Sequence, residues 1–454
     1  MAYQSVNPAN GEEVASFATW TGVQLETALA QVNKATPGWA VTPLGERCQL
    51  LHKLAAVVRA EQESLAQLVT LEMGKLIAES RAEVEKCAQG CEFYAEQAPA
   101  FLADEYIETD AGKSLVAYQP LGTVLAVMPW NFPLWQVFRF IAPALAAGNT
   151  GLLKHASNVP QCALAIERLV REAGFPEGVF RTLMIDAHEV AGVIADSRVQ
   201  AVTLTGSEPA GRAVAAAAGA HLKKSVLELG GSDAFVVLAD ADLDLAVQQA
   251  VMSRFLNCGQ SCIAAKRFIV VDAIADEFVA CFVEAVRQLH PGDPTDEKTL
   301  LAPMARVDLR DELHAQVQAS IAAGAVALIG GEPVAGPGVF YAATILDQVM
   351  PGTVAYEQEL FGPVAAVIRV ADEAEALAVS NGSRFGLGGS VWTQDTVRGE
   401  RFARHMQCGS AFVNGMVKSD PRLPFGGIKA SGYGRELSQH GLREFVNAKT
   451  LWVK

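Results

Sequence analysis

Between residues 23 and 103, apolar side chains recur mostly three and four positions apart, as in Leu50, Leu51, Leu54, Val57 and Val58, then Leu65, Leu68 and Val69. That spacing lines up one helix face, so it predicts a helical N-terminal region. The pattern then shortens. Residues 114–118 and 122–128 read as strands, the second apolar and β-branched and stopping at Pro129. Helical periodicity over 134–147, 161–173 and 188–196 then alternates with strand-like runs at 150–154, 179–183 and 199–203. Repeated βα units of this kind predict a parallel, doubly wound sheet. Beyond Glu228 the alternation resumes, with strands near 234–238 and 267–271 and helices near 243–255 and 275–288, which predicts a second α/β domain. Residues 291–298 and 330–338 are rich in Gly, Pro and Asp but short enough to be surface loops.

Two residues stand out against this apolar background. Cys262 ends Asn257-Cys258-Gly259-Gln260-Ser261-Cys262, directly after the largely apolar stretch 251–256, and reads as a nucleophile on a buried turn. Glu228 interrupts the apolar run of Leu227-Glu228-Leu229-Gly230-Gly231. A carboxylate withdrawn from water has a raised pKa and makes a better base near neutrality. Together they suggest covalent thiol catalysis. A further segment, Thr205-Gly206-Ser207-Glu208-Pro209-Ala210-Gly211, lies between a predicted strand and a helix at 212–218, where backbone N–H groups can receive a pyrophosphate.

Length and composition narrow the class. With 454 residues and 50% hydrophobic content the chain can build two or three packed units. A formal net charge of −14 argues against nucleic-acid partners, which need concentrated Lys and Arg. No apolar run is long enough for a bilayer, and the first eight residues lack the basic start and apolar run of a signal peptide, so no membrane partner and a soluble cytoplasmic protein are expected. The eight cysteines are too dispersed for a disulfide framework; Cys87 and Cys91 share a helix spacing, but no further ligand completes a metal site, and none is expected.

Five motifs in order, Pro129-Trp130-Asn131-Phe132-Pro133, Leu227-Glu228-Leu229-Gly230-Gly231, Gly259-Gln260-Ser261-Cys262, Glu359-Leu360-Phe361-Gly362-Pro363 and Pro424-Phe425-Gly426-Gly427 through Gly434-Arg435-Glu436, resemble those of the aldehyde dehydrogenases over nearly the whole chain. The resemblance implies an α/β fold with two doubly wound domains and a β oligomerisation arm. Residues 1–111 and 131–228 would bind cofactor, 229–415 would form the catalytic domain, and 112–130 with 436–454 the arm, giving a homodimer or homotetramer. It implies that Cys262 attacks the aldehyde, that Asn131 and the Cys262 N–H hold the oxyanion, that Glu228 activates the hydrolytic water and that Glu436 helps order it. Asn131 also suits a cap for the helix near Leu134. For NAD or NADP, the implied site comprises Gly206 and Ser207 at the pyrophosphate, Glu359 at the nicotinamide ribose, Phe361 beside the nicotinamide, Lys154 at the adenosine ribose, and Trp130, Gly211 and Leu229.

Two departures bear on specificity. NAD-preferring relatives often have Glu where this chain has Ser157; serine removes repulsion of a 2′-phosphate, and Lys154 and a partly exposed His155 would stand close by. Arg139 is odd within the apolar run 134–147 and suits a bidentate clamp on a carboxylate. Succinate-semialdehyde dehydrogenases resemble this chain in having Arg there, which implies an aldehyde with a distal carboxylate. A structural Arg paired with an acid is the alternative for Arg139; for the substrate, succinate semialdehyde oxidised to succinate leads, with glutarate semialdehyde or an uncharged aliphatic aldehyde as the alternative. A second Arg found in some of those enzymes is replaced by Leu256, leaving Lys418 and Ser419 as substitutes, and the position of a redox-switch cysteine holds Ala264. A catalytically silent member is the reading outside the enzyme class.

Overall fold

The computed structural model describes residues 3–454. The helical N-terminal region resolves into Gly22–Val41, Leu44–Ala60, Gln62–Met73 and Ile77–Phe101. Thr21 opens the first with a capping box shared with Gln24, and Gly74, at φ +83°, closes the third in the left-handed conformation that suits glycine. Leu51, Leu54, Val58, Leu65 and Val69 sit in the core as the periodicity predicts, and Cys87 and Cys91 are core residues beside them. An antiparallel hairpin, Tyr3–Val6 with Glu13–Phe17, precedes the helices and was not predicted.

The first alternating region forms a six-stranded sheet in the order Gly432–Tyr433, Lys224–Glu228, Val199–Thr205, Thr123–Met128, Thr150–His155, Phe180–Thr182. All neighbours are parallel except the Gly432–Tyr433 edge. The chain starts at Thr123–Met128, winds outward through the next two strands, then returns to the other side at Val199–Thr205. Helices therefore diverge between these two strands, which opens a crevice at their C-terminal ends, where ligands bind in such sheets. Thr123–Met128 falls within the range expected for the arm but stands at the sheet's centre, because its residues are almost all buried.

The second sheet has seven strands in the order Val326–Ile329, Thr344–Asp347, Val364–Val370, Ala265–Val271, Asp233–Val237, Gly388–Trp392, Ser410–Val413, with only the Val326–Ile329 edge antiparallel. Ala265–Val271 and Asp233–Val237 are buried throughout, as central parallel strands covered on both faces must be. Residues 229–232 connect the two sheets. A small third sheet pairs Val446–Val453 with Lys113–Pro120, from Val446 opposite Pro120 to Val453 opposite Lys113, and adds Glu105–Tyr106. Among the described residues, no helix is long and apolar enough to cross a membrane.

Candidate active site

Four chain segments converge at the crevice. Strand Thr123–Met128 ends just before Pro129-Trp130-Asn131, and Val199–Thr205 delivers Gly206 and Ser207. Strand Lys224–Glu228 ends on Glu228, and the turn before Ala265–Val271 carries Cys262. A cleft of about 780 Å³ is lined by Trp130, Asn131, Gly206, Ser207, Leu229, Glu359, Phe361 and Cys262, among others. A smaller cavity of about 160 Å³ lies on another side of the thiol, lined in part by Trp135, Arg139, Lys418, Ser419 and again Cys262. Cys262 is the residue these two spaces share.

The turn that carries Cys262 is held by a dense backbone scaffold. Asn257 and Cys258 adopt φ of 55° and 54°, a left-handed pair that bends the chain sharply. Asn257 Nδ2 donates to the carbonyls of Asn131 (2.8 Å) and Gln260 (3.1 Å), and Asn131 Nδ2 also donates to Gln260 (3.1 Å). Asn131 thus binds the turn; it does not cap the helix Trp135–Ala146. That helix is capped instead by Glu83, whose Oε1 accepts from the N–H groups of Leu134 and Trp135, both at 2.9 Å. The Asn131 amide keeps one N–H beyond its bond to Gln260, and the Cys262 N–H donates to no group among the described residues. These are two donors suited to an oxyanion.

Two buried cations that the sequence reading passed over support this turn. Arg254 donates to the carbonyls of Ala265 (3.0 Å), Gly259 (2.6 Å) and Gly362 (2.7 Å), stitching the Cys262 turn to the Glu359-to-Pro363 motif. Lys266 donates to the carbonyls of Ser261 (2.8 Å) and Cys262 (2.7 Å) and pairs with Glu359 at 3.0 Å. Glu359 also accepts from the Gly231 N–H at 3.1 Å. Gly259, at φ +70°, has no room for a Cβ, which would run into the Gly362 carbonyl and the Arg254 guanidinium. Gly259→Ala is therefore expected to cost roughly 2–4 kcal/mol from backbone strain and overpacking, read as a lowered thermal unfolding midpoint.

Glu228 and Glu436 meet because the C-terminal segment folds back. Gly432 pairs with Glu228 and Tyr433 with Leu227, and Phe425 and Glu436 exchange backbone hydrogen bonds, each at 2.7 Å. Both carboxylates are buried, so Glu436 is no surface acid. It forms an ion pair with Arg139, whose guanidinium also donates to Thr205 Oγ1 at 3.2 Å and lies 4.7 Å from the Phe425 ring. Burial first, and then the Glu436 charge, push the Glu228 carboxyl well above the usual carboxylate range, against the pull of Arg139. Burial likewise raises Glu436, with Arg139 opposing. The Cys262 thiol is pushed up to about 12 by burial, with Arg139 and Lys266 drawing it down. At rest it holds its proton.

The cleft fits a dinucleotide by its own geometry. Helix Glu208–Ala220 begins at Ser207 without a side-chain cap, so its first N–H groups are left for an anion. Glu208 in that first turn is paired with Arg212 (2.8 Å) and Arg384 (2.7 Å), which offsets its charge. Gly211 lies against Leu229, where a Cβ would approach to 2.5 Å, so helix and strand pack closely. Trp130 and Phe361 meet edge to face at 5.9 Å. Lys154 and an exposed Ser157 stand beyond the cleft, at the end of Thr150–His155. His155 is buried, not partly exposed. Its Nε2 meets the Pro133 carbonyl at 2.8 Å and burial lowers its pKa to about 4, so it is neutral and unavailable to a phosphate. Cys258 is buried in the core of the seven-stranded sheet and lines neither cavity.

Comparison with known proteins agrees with this geometry. Residues 1–451 match the aldehyde dehydrogenase family. The chain is 51% identical over 453 residues to a probable NADP(+) succinate-semialdehyde dehydrogenase of Synechocystis sp., covering 100% of both. It is 51% identical over 459 residues to NADP(+) succinate-semialdehyde dehydrogenase 1 of Mycobacterium ulcerans, again over 100% of both. The crystal structure of succinic semialdehyde dehydrogenase from Streptococcus pyogenes, in complex with NADP+, superposes with a TM-score of 0.98 at 39% identity over 100% of each chain. With one thiol shared by two cavities, a buried glutamate ending a strand at the crevice and this full-length similarity, the chain belongs to the aldehyde dehydrogenase family.

Proposed function

We propose that this enzyme oxidises succinate semialdehyde to succinate with NADP. The observation that carries the reading is the small second cavity, which begins at Cys262 and is lined by Arg139, Lys418 and Ser419. A short aldehyde with a cation-binding tail suits it; a long aliphatic chain does not. The names of the relatives at 51% identity support the same substrate and cofactor.

A nicotinamide dinucleotide, when bound in the cleft, supplies the hydride acceptor. Cys262 Sγ gives its proton to solvent water in the cleft and bonds to the aldehyde carbon, the C=O π bond breaks, and the oxygen takes the negative charge. The Asn131 amide and the Cys262 N–H stabilise that oxyanion, each contributing about 3 kcal/mol where charge develops. Loss of hydride leaves a thioester on Cys262. Glu228 then takes a proton from water, the new C–O bond forms, the C–S bond breaks, and the acid departs as the thiol is restored. Glu436, fixed by Arg139, supports Glu228 through its charge. The ion pair gives Arg139 a duty toward every aldehyde, so Arg139→Leu is expected to lower kcat for charged and uncharged aldehydes alike.

Ser157 supports NADP, since it sets no carboxylate against a 2′-phosphate. Steady-state turnover of succinate semialdehyde, glutarate semialdehyde and hexanal, each with NAD and NADP, tests the reading; succinate semialdehyde with NADP should give the highest kcat/KM. Hexanal preference would overturn the substrate and NAD preference the cofactor. Assembly through the arm is part of the proposal. Val446–Val453 is an open edge, and Trp452 (50% exposed) and Tyr106 (67% exposed) leave apolar surface for a second copy to cover.

A further inference from the structure

The small cavity holds a cation from an unexpected direction. Lys86, half-buried on helix Ile77–Phe101, lines it together with Leu256 and Ser419. Its Nζ donates to Ser419 Oγ at 2.7 Å and lies 4.5 Å from the Trp135 ring, whose Nε1 also donates to Ser419 Oγ, at 3.2 Å. A serine oxygen has two acceptor sites and one O–H. With both acceptor sites filled, the Ser419 proton must be given elsewhere, and the ammonium keeps two N–H donors beyond the serine. No carboxylate among the described residues lies within ion-pair distance of Lys86, whereas Arg139 is already paired with Glu436.

We propose that Lys86, with the Ser419 hydroxyl, anchors the distal carboxylate of the substrate and sets the preference for charged aldehydes. This rests on the reading above and deepens it, because it moves the main charge recognition from Arg139 to Lys86. The geometry is complementary: Lys86 and Ser419, hydrogen-bonded to each other, both line the one small space that ends at the thiol. An unpaired ammonium in that space is poorly solvated, and burial lowers its pKa to about 8, aided by Arg139 from helix Trp135–Ala146 and opposed by Cys87 and Glu83 on its own helix and by Asp420. A bound carboxylate relieves that penalty. Leu256, which also lines the space, offers no charge.

The test compares Lys86→Met and Lys86→Arg with the parent on succinate semialdehyde and on butanal, with NADP, and measures succinate as a competitive inhibitor of butanal oxidation. Loss of a charge-assisted contact should lower the ratio of kcat/KM for succinate semialdehyde to that for butanal by at least about tenfold in the Met variant. The loss should lie in KM, the succinate Ki should rise in step, and Arg should restore most of both. KM of the parent for succinate semialdehyde should climb above pH 8 as the ammonium deprotonates, and that rise should be absent in the Met variant. Equal losses for both aldehydes, or an unmoved ratio and Ki, would overturn the assignment. A parent that prefers butanal while succinate still competes through Lys86 would instead sink the substrate reading and leave the anion site standing.

Discussion

Cys262→Ala should abolish cofactor-dependent aldehyde oxidation, lowering kcat by roughly four to six orders of magnitude, as removal of a covalent nucleophile does elsewhere. The position explains the size of the effect. No other cysteine lines either cavity, and Cys258, four residues earlier, is buried in the second sheet's core. The thiol does not anchor the turn: Arg254, Lys266 and Asn257 hold its carbonyls, so the variant should keep its thermal midpoint and still bind NADP. Because burial raises the thiol to about 12, alkylation of Cys262 in the parent should be slow at neutral pH and quicken as pH rises. Activity in Cys262→Ala within about a hundredfold of the parent would remove Cys262 as nucleophile.

The same turn shows what a sequence can and cannot disclose. Cys262 and Glu228 were legible because each contradicts its surroundings, a thiol or an acid in an apolar run, and the alternating βα pattern was legible because each strand and helix buries its own face. Arg254, Lys266 and Glu83 were not, because most of their partners are backbone carbonyls and N–H groups, which leave no side-chain signature in the sequence. The available signal was local: Lys266 and Arg267 stand together in the otherwise apolar strand Ala265–Val271, where two buried cations need acceptors. Arg139 was recognised as anomalous, yet its partner Glu436 arrives from the far end of the chain through the Gly432–Tyr433 edge strand. That edge is two residues long and carries no strand pattern. The Tyr3–Val6 strand escaped for the same reason, being four residues with Gln4 and Ser5 at its middle.

Glu228→Gln should separate the two halves of the reaction. Glutamine preserves the shape of the side chain but cannot take a proton from water, so the thioester should form and then persist. The expected record is a burst of reduced NADP equal to the active sites, followed by steady-state turnover lowered by roughly 10²–10⁴-fold. The pH dependence follows from the direction of the shift. A carboxyl held above its usual range by burial and by Glu436 is protonated at low pH, and the base form grows as pH rises through that raised value. Deacylation in the parent should therefore accelerate with pH, while the residual turnover of Glu228→Gln should lack that limb. Rapid-mixing absorbance at several pH values reads both. If the burst disappears along with the steady state, Glu228 acts before the thioester, removing the Cys262 proton, and the assignment to water activation falls. Glu436→Gln provides the internal comparison: it removes a neighbouring negative charge, so the Glu228 limb should shift to lower pH, with the burst retained.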